Sequence, residues 1–185
     1  MTLGKDWAIA WIEGCIDMAS EHRVELIELD RAIGDGDHGE NLDRGFSAVK
    51  TKLSDADATH AGDVLKLVAT TLMSTVGGAS GPLLGTAFLR ASKEVTAENL
   101  GPRDLVAMLE AGLAGIQARG KADEGEKTMV DAWAPAVRAA EKAAEDGLAP
   151  AAVLRAAADA GRQLGGQAAD ERSVCPGSHL LPGGQ

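Results

Sequence analysis

The sequence predicts an all-α domain, an antiparallel bundle of about seven helices with short connections, and three observations carry that reading. Alanine is the commonest residue, with 34 positions, whereas Tyr is absent and Phe occurs twice. Strands favour β-branched and aromatic residues, so this composition leans to helix. Apolar residues recur at steps of three and four. No stretch alternates with a period of two, and no Asn-Gly or Asp-Gly pair sits between alternating strands.

The elements follow in order. A first helix is predicted from about Asp6 to Asp30, through Ala8, Ile12, Cys15, Ile16, Ala19 and Ile27. Leu42, Phe46, Val49 and Leu53 form the next stripe, and Val64, Val68, Leu72 and Val76 the one after. Gly77-Gly78 ends that helix, and Gly81-Pro82 opens its successor with Pro in the first turn. Gly101-Pro102 precedes a helix carrying Met108 (or Leu109), Leu113 and Ile116, which Gly120 and Lys121 close. Lys127-Thr128-Met129 begins another, with Thr128 as a cap and Met129, Trp133, Val137 and Ala140 on one stripe. Pro135 inside it predicts a kink or a late start. Gly147 and Pro150 divide the last two helices. There is no repeat of solenoid period and no low-complexity linker.

The length of 185 residues fits a single domain over 1–185, and 45% apolar residues are enough for a core. The net charge of −10 (18 Lys+Arg against 28 Asp+Glu), without a basic block, argues against nucleic acid or an anionic membrane as partner. No apolar run approaches the roughly 20 residues that span a bilayer. The start MTLGKDWAIAWIEGC lacks the features of a signal peptide, so a soluble cytoplasmic protein is expected. Cys15 and Cys175 make neither a disulfide framework nor a zinc site.

The most informative stretch is LDRAIGDGDHGENLDRGF, from Leu29 to Phe46. Asp30, Asp35 and Asp37 repel one another unless something positive sits among them, and Gly34, Gly36 and Gly39 let the backbone fold tightly enough for them to converge. Asp30 falls at a helix C-terminus, where the dipole disfavours negative charge. Such a local misfit marks a functional site, and hard Mg2+ suits a few carboxylates with positions left for water or phosphate. An ordinary Asp-Gly turn is the competing reading. A helix-loop-helix calcium site fails on spacing, because the twelfth position from Asp35 is Phe46, where a bidentate Glu is needed. His38 is open to three roles: metal ligand, phosphate contact or helix cap. Of Asn41, Asp43 and Arg44, which open the next helix, Asn41 is best placed to meet a nucleotide, and Arg44 is expected to neutralise the acidic loop.

The second feature is TVGGASGPLLGTAF, where Gly77, Gly78, Ala79, Ser80 and Gly81 lead into a helix. Small residues at a helix N-terminus leave backbone N–H groups open to an anion. No Gly-Lys-Ser/Thr follows, so this is not a Walker loop, and no strand precedes it, so it is not a dinucleotide fingerprint. A plain helix–helix turn is the alternative. Beside three carboxylates, however, one element would bind phosphate oxygens while the other holds the neutralising cation. The third feature, RGKADEGEKTMVDAW, joins two helices, and Met129 there is either core or a soft surface for a nucleobase.

Together IGDGDHGENLDRGF, GGASGPLLGTAF and EKTMVDAW, in this order and spacing, resemble the ADP-binding L subunit of bacterial dihydroxyacetone kinase, the DhaL family, over roughly residues 5 to 160. The resemblance implies an antiparallel barrel of about eight helices with the nucleotide site at one end. It implies two Mg2+ ions on Asp30, Asp35 and Asp37, with ADP or ATP bound beside them. His38, Gly39, Glu40 and Asn41 with Gly78, Ala79 and Ser80 would contact phosphates, and Gly120 and Met129 would line the nucleoside. Arg172 matches a family arginine near the C-terminus, and Pro182 and Gly183 match part of the covering segment that follows it. Leu181 stands where that segment has an aspartate, and residues about 162–185 depart from the family pattern.

The resemblance further implies that the nucleotide stays bound and shuttles a phosphoryl group. A phosphohistidine subunit of the phosphotransferase system would charge ADP, and the γ-phosphoryl would pass to dihydroxyacetone held covalently on a His of a separate K subunit. Such transfer needs mainly positioning and charge neutralisation, and no catalytic base is nominated on this chain. Alternatives are free ATP as donor, as in fused dihydroxyacetone kinases, and a tetrulose such as erythrulose as acceptor. A further alternative is a nucleotide-state sensor that binds a transcriptional regulator. A homodimer is also left open.

Overall fold

The computed structural model describes residues 3–32 and 34–170. The described residues form eight helices and no strand: α1 (Lys5–Glu21), α2 (Arg23–Arg31), α3 (His38–Ser54), α4 (Ala61–Thr75), α5 (Ser80–Ala91), α6 (Pro102–Gly120), α7 (Val130–Glu145) and α8 (Pro150–Asp170). The count exceeds the periodicity reading by one because the predicted first helix is two. His22 leaves helical geometry at φ −93°, ψ 9° and bonds Glu25 through Nδ1 at 2.7 Å, a local break that an apolar stripe does not reveal. Leu26 is the buried residue of α2, whereas Ile27 is half-buried.

The stripes read from the sequence face the core. Leu42, Phe46, Val49, Val64, Val68, Leu72, Met108, Leu109, Ile116, Val137 and Ala140 are buried, while Leu53, Leu113, Met129 and Trp133 are half-buried and pack against them. Connections of four to ten residues join consecutive helices α4 to α8, each packed on the next as antiparallel neighbours. Meanwhile α1 lies on α3 and α4, and α2 on α3. Pro102 and Pro150 each take the first position of a helix, and Gly147 ends α7 with a φ of +75°. The kink-or-late-start expectation meets a helix that begins at Val130, so Pro135 stands in its second turn, with its side chain buried. No described helix is long and apolar enough to cross a membrane.

This alternation brings the starts of α3, α5 and α7 and the ends of α4 and α6 to one end of the bundle.

Candidate functional site

Asp30 stands in the last turn of α2, and the chain tightens directly after it: the Gly34 N–H donates to the Asp30 carbonyl at 2.6 Å. Gly36 turns through φ +76°, a conformation that side chains other than glycine disfavour. The His38 N–H then donates to Asp30 Oδ2 at 3.2 Å, closing the loop on itself. As a result Asp30, Asp35 and Asp37 each offer a carboxylate oxygen, and these lie within 4.8 Å of one another. Asp30 is half-buried and the other two are exposed. The expectation that Arg44 neutralises this loop is corrected: its guanidinium donates to Asn41 Oδ1 and to the Thr75 carbonyl at the end of α4. Arg31 pairs with Glu28.

His38 is the first residue of α3. Its Nδ1 shares a hydrogen bond of 3.0 Å with Ser80 Oγ, while its Nε2 is buried and without a partner among the described residues. Burial pushes the imidazole pKa down, partly opposed by the carboxylates of Asp30 and Asp37, so the ring is neutral near pH 7. Gly39 lets the first turn of α3 lie against α2, since a Cβ there would come 2.1 Å from the Arg23 carbonyl oxygen. Glu40 is exposed and pairs with Arg23. Asn41 is buried beneath the second loop, beside Gly77.

That second loop runs from an extended Val76 through Gly77 and Gly78, the latter at φ +64° with open space around it. Ala79 precedes α5 without a side-chain cap, so the first N–H groups of α5 are open to an external acceptor. Ser80 begins that helix, in contact with His38. Gly120 ends α6, with Leu83 of α5 3.1 Å from the position of its missing Cβ. Met129 precedes α7 and packs with Leu83 over Ala87, Ile116 and Val130. Thr128 Oγ1 accepts from the Val130 N–H at 3.2 Å, but the N-cap position of α7 is held by Met129, which makes no side-chain cap bond. The three motifs of the sequence therefore meet at one end, with the metal-type cluster and the small-residue turn joined by the His38–Ser80 bond. Arg172, Pro182 and Gly183 lie outside the described residues. The Arg44–Thr75 and Arg23–Glu40 bridges were not legible in the sequence, because their partners lie on other elements.

The DAK2 domain family model matches residues 32–171. The chain is 48% identical over 139 residues to PEP-dependent dihydroxyacetone kinase 1, ADP-binding subunit DhaL, of Listeria innocua, covering 75% of this chain and 70% of that one. It is 42% identical over 158 residues to the ADP-binding subunit DhaL of the PEP-dependent dihydroxyacetone kinase of Escherichia coli, covering 85% and 75% respectively. In fold it is similar to the dihydroxyacetone kinase from C. freundii in complex with AMP-PNP and Mg2+, with a TM-score of 0.76. That match, at 24% identity, covers 98% of this chain and 33% of the larger one.

Proposed function

We infer the function of this chain from the premise that it belongs to the DAK2 domain family, and within it to the DhaL subunits. It holds ADP or ATP with two Mg2+ ions and passes the γ-phosphoryl group to dihydroxyacetone carried by a separate K subunit. A phosphohistidine subunit of the phosphotransferase system recharges the nucleotide. The observation that carries this reading is the convergence of Asp30, Asp35 and Asp37 to within 4.8 Å beside the His38–Ser80 pair.

The residues fit the groups they would hold. Three clustered carboxylates repel one another until a cation lies among them, and an all-oxygen donor set with open positions suits Mg2+. When bound, Mg2+ supplies the positive charge that lets carboxylates and phosphate oxygens share one site. In the tautomer in which the Ser80 hydroxyl donates to Nδ1, the neutral His38 ring carries its proton on Nε2, a buried nitrogen without a partner among the described residues. A phosphate oxygen satisfies such a donor, whereas leaving it unpaired costs about 1–3 kcal/mol. The open N–H groups at the start of α5 add donors and the positive end of a helix dipole. Gly39 and Asn41 set the first turn of α3 beside them, and Gly120 and Met129 offer a small surface and a thioether to the nucleoside.

The chain's part in the reaction is thus to bind and orient phosphates and to balance their charge. Reconstitution tests it. With ATP and dihydroxyacetone the chain alone shows negligible turnover, and adding a K subunit and a phosphohistidine donor with phosphoenolpyruvate restores it. Robust turnover by the chain alone refutes the subunit assignment.

A further inference from the structure

We propose that Arg44 is a positioning residue of the nucleotide site, a strut that ties the small-residue turn to the first turn of α3 and fixes which end of the Asn41 amide is presented to the ligand. The inference rests on the nucleotide-site reading given above.

Arg44 joins two elements far apart in sequence. Its Nε donates to the Thr75 carbonyl at 3.2 Å, one of the carbonyls that the end of α4 leaves without a helical partner. Its Nη2 donates to Asn41 Oδ1, one turn back along α3. A guanidinium has donors and no acceptor, so the amide must turn its oxygen to Arg44. The NH2 group is then the end left for a ligand, and none of the described residues accepts from it. An amide presenting two N–H donors suits phosphate, whereas the flipped amide presents a lone pair that repels it. Asn41 is 6% exposed, so its orientation is set by its neighbours rather than averaged by water.

The next residue completes the attachment. A Cβ at Gly45 would lie 2.1 Å from Val76 Cγ2, so the absence of a side chain lets Val76 seat against α3. Arg44 and Gly45 between them hold Thr75 and Val76, and the position of a Cβ on Gly77 is 3.4 Å from Asn41 Oδ1. Gly78, Ala79 and Ser80 follow directly, and Gly78 has open space around it. A turn rich in glycine needs such an external attachment if its N–H groups are to be in place before the anion arrives.

A simple charge role is the competing explanation: a cation at the end of α4 complements its dipole, and lysine would serve equally. Lysine cannot reach both oxygens with a rigid fork. The test is calorimetric titration of ADP at saturating Mg2+ into wild type, Arg44→Met and Arg44→Lys, with amide hydrogen exchange of residues 77–80 measured without nucleotide. Both variants are expected to bind ADP about 10-fold or more weakly. In both, exchange at 77–80 rises while α6 stays protected. Wild-type affinity in Arg44→Met, or recovery to within about twofold in Arg44→Lys, overturns the strut. Should Arg44→Met fail to fold, Arg44→Lys alone decides by the same criterion. A wild-type protein that binds no ADP with Mg2+ overturns the underlying nucleotide-site reading, and the strut with it. Unchanged variants beside a binding wild type overturn the strut only.

Discussion

Replacing Asp35 with Asn is expected to make the metal-free protein more stable while abolishing its response to Mg2+ and ADP. The three carboxylates of Asp30, Asp35 and Asp37 lie within 4.8 Å of one another, so neutralising one removes two repulsive pairs. At that distance each pair costs about 0.9 kcal/mol in a water-like dielectric. Screening at 0.15 M salt, where the Debye length is about 8 Å, roughly halves this, leaving a gain of about 1 kcal/mol for the two pairs. Asp35 is exposed and accepts no hydrogen bond from the described residues, so little is lost in exchange. For a chain of this size the gain corresponds to a rise in Tm of about 2–4 °C. Thermal unfolding in EDTA reads it, and the rise should be larger at low salt. Wild type should then gain about 2.7 kcal/mol when Mg2+ and ADP are added with ADP at a hundredfold its Kd, and Asp35→Asn should gain nothing comparable. An apo variant no more stable than wild type refutes the convergence of charges. A variant that keeps the ligand response refutes Asp35 as part of the cation site.

Asp63 accepts from the N–H groups of Thr59 and His60 and from the Thr59 hydroxyl, and these bonds hold its carboxyl at a pKa of about 2. Because the folded pKa is depressed, the stabilisation is complete above about pH 4 and fades as pH falls towards the folded value. Asp63 is half-exposed and solvent screening discounts these bonds, so Asp63→Ala should be about 1 kcal/mol less stable than wild type by urea denaturation at pH 7, and the difference should vanish towards pH 2. Gly14→Ala and Gly81→Ala should act in opposite directions in thermal melts. The first places a methyl where no atom lies within 4 Å in α1 and should stabilise by about 0.5–1 kcal/mol. The second forces a Cβ to 2.2 Å from the Val76 carbonyl oxygen and should cost about 1–3 kcal/mol and weaken ADP binding.

The helices were legible because their signals are local. Leu42, Phe46 and Val49 repeat on one face within a few turns, and Gly101-Pro102 or Gly147 with Pro150 states a boundary within a few residues. The break at His22 was not legible, because it depends on one backbone conformation and a side-chain bond to Glu25 rather than on periodicity. The acidic loop announced itself by chemistry: three like charges separated by glycines are unfavourable without a counterion. What joins that loop to its surroundings was hidden. Ser80 meets His38 across 42 residues, and Arg44 meets Thr75 across 31, so no spacing rule links them. Arg44 beside a cluster of aspartates invited a charge-balancing role, and only the packing of α3 on α4 shows the guanidinium directed to a helix end instead.

The proposed role of Asp30, Asp35 and Asp37 in holding Mg2+ for a bound nucleotide can be checked by titrating ADP into wild type and Asp37→Ala, with Mg2+ and with EDTA, while circular dichroism monitors helix content. Wild type is expected to bind ADP only with Mg2+, and Asp37→Ala to bind none at unchanged helicity. ADP binding to Asp37→Ala with the wild-type affinity and Mg2+ dependence would contradict that role.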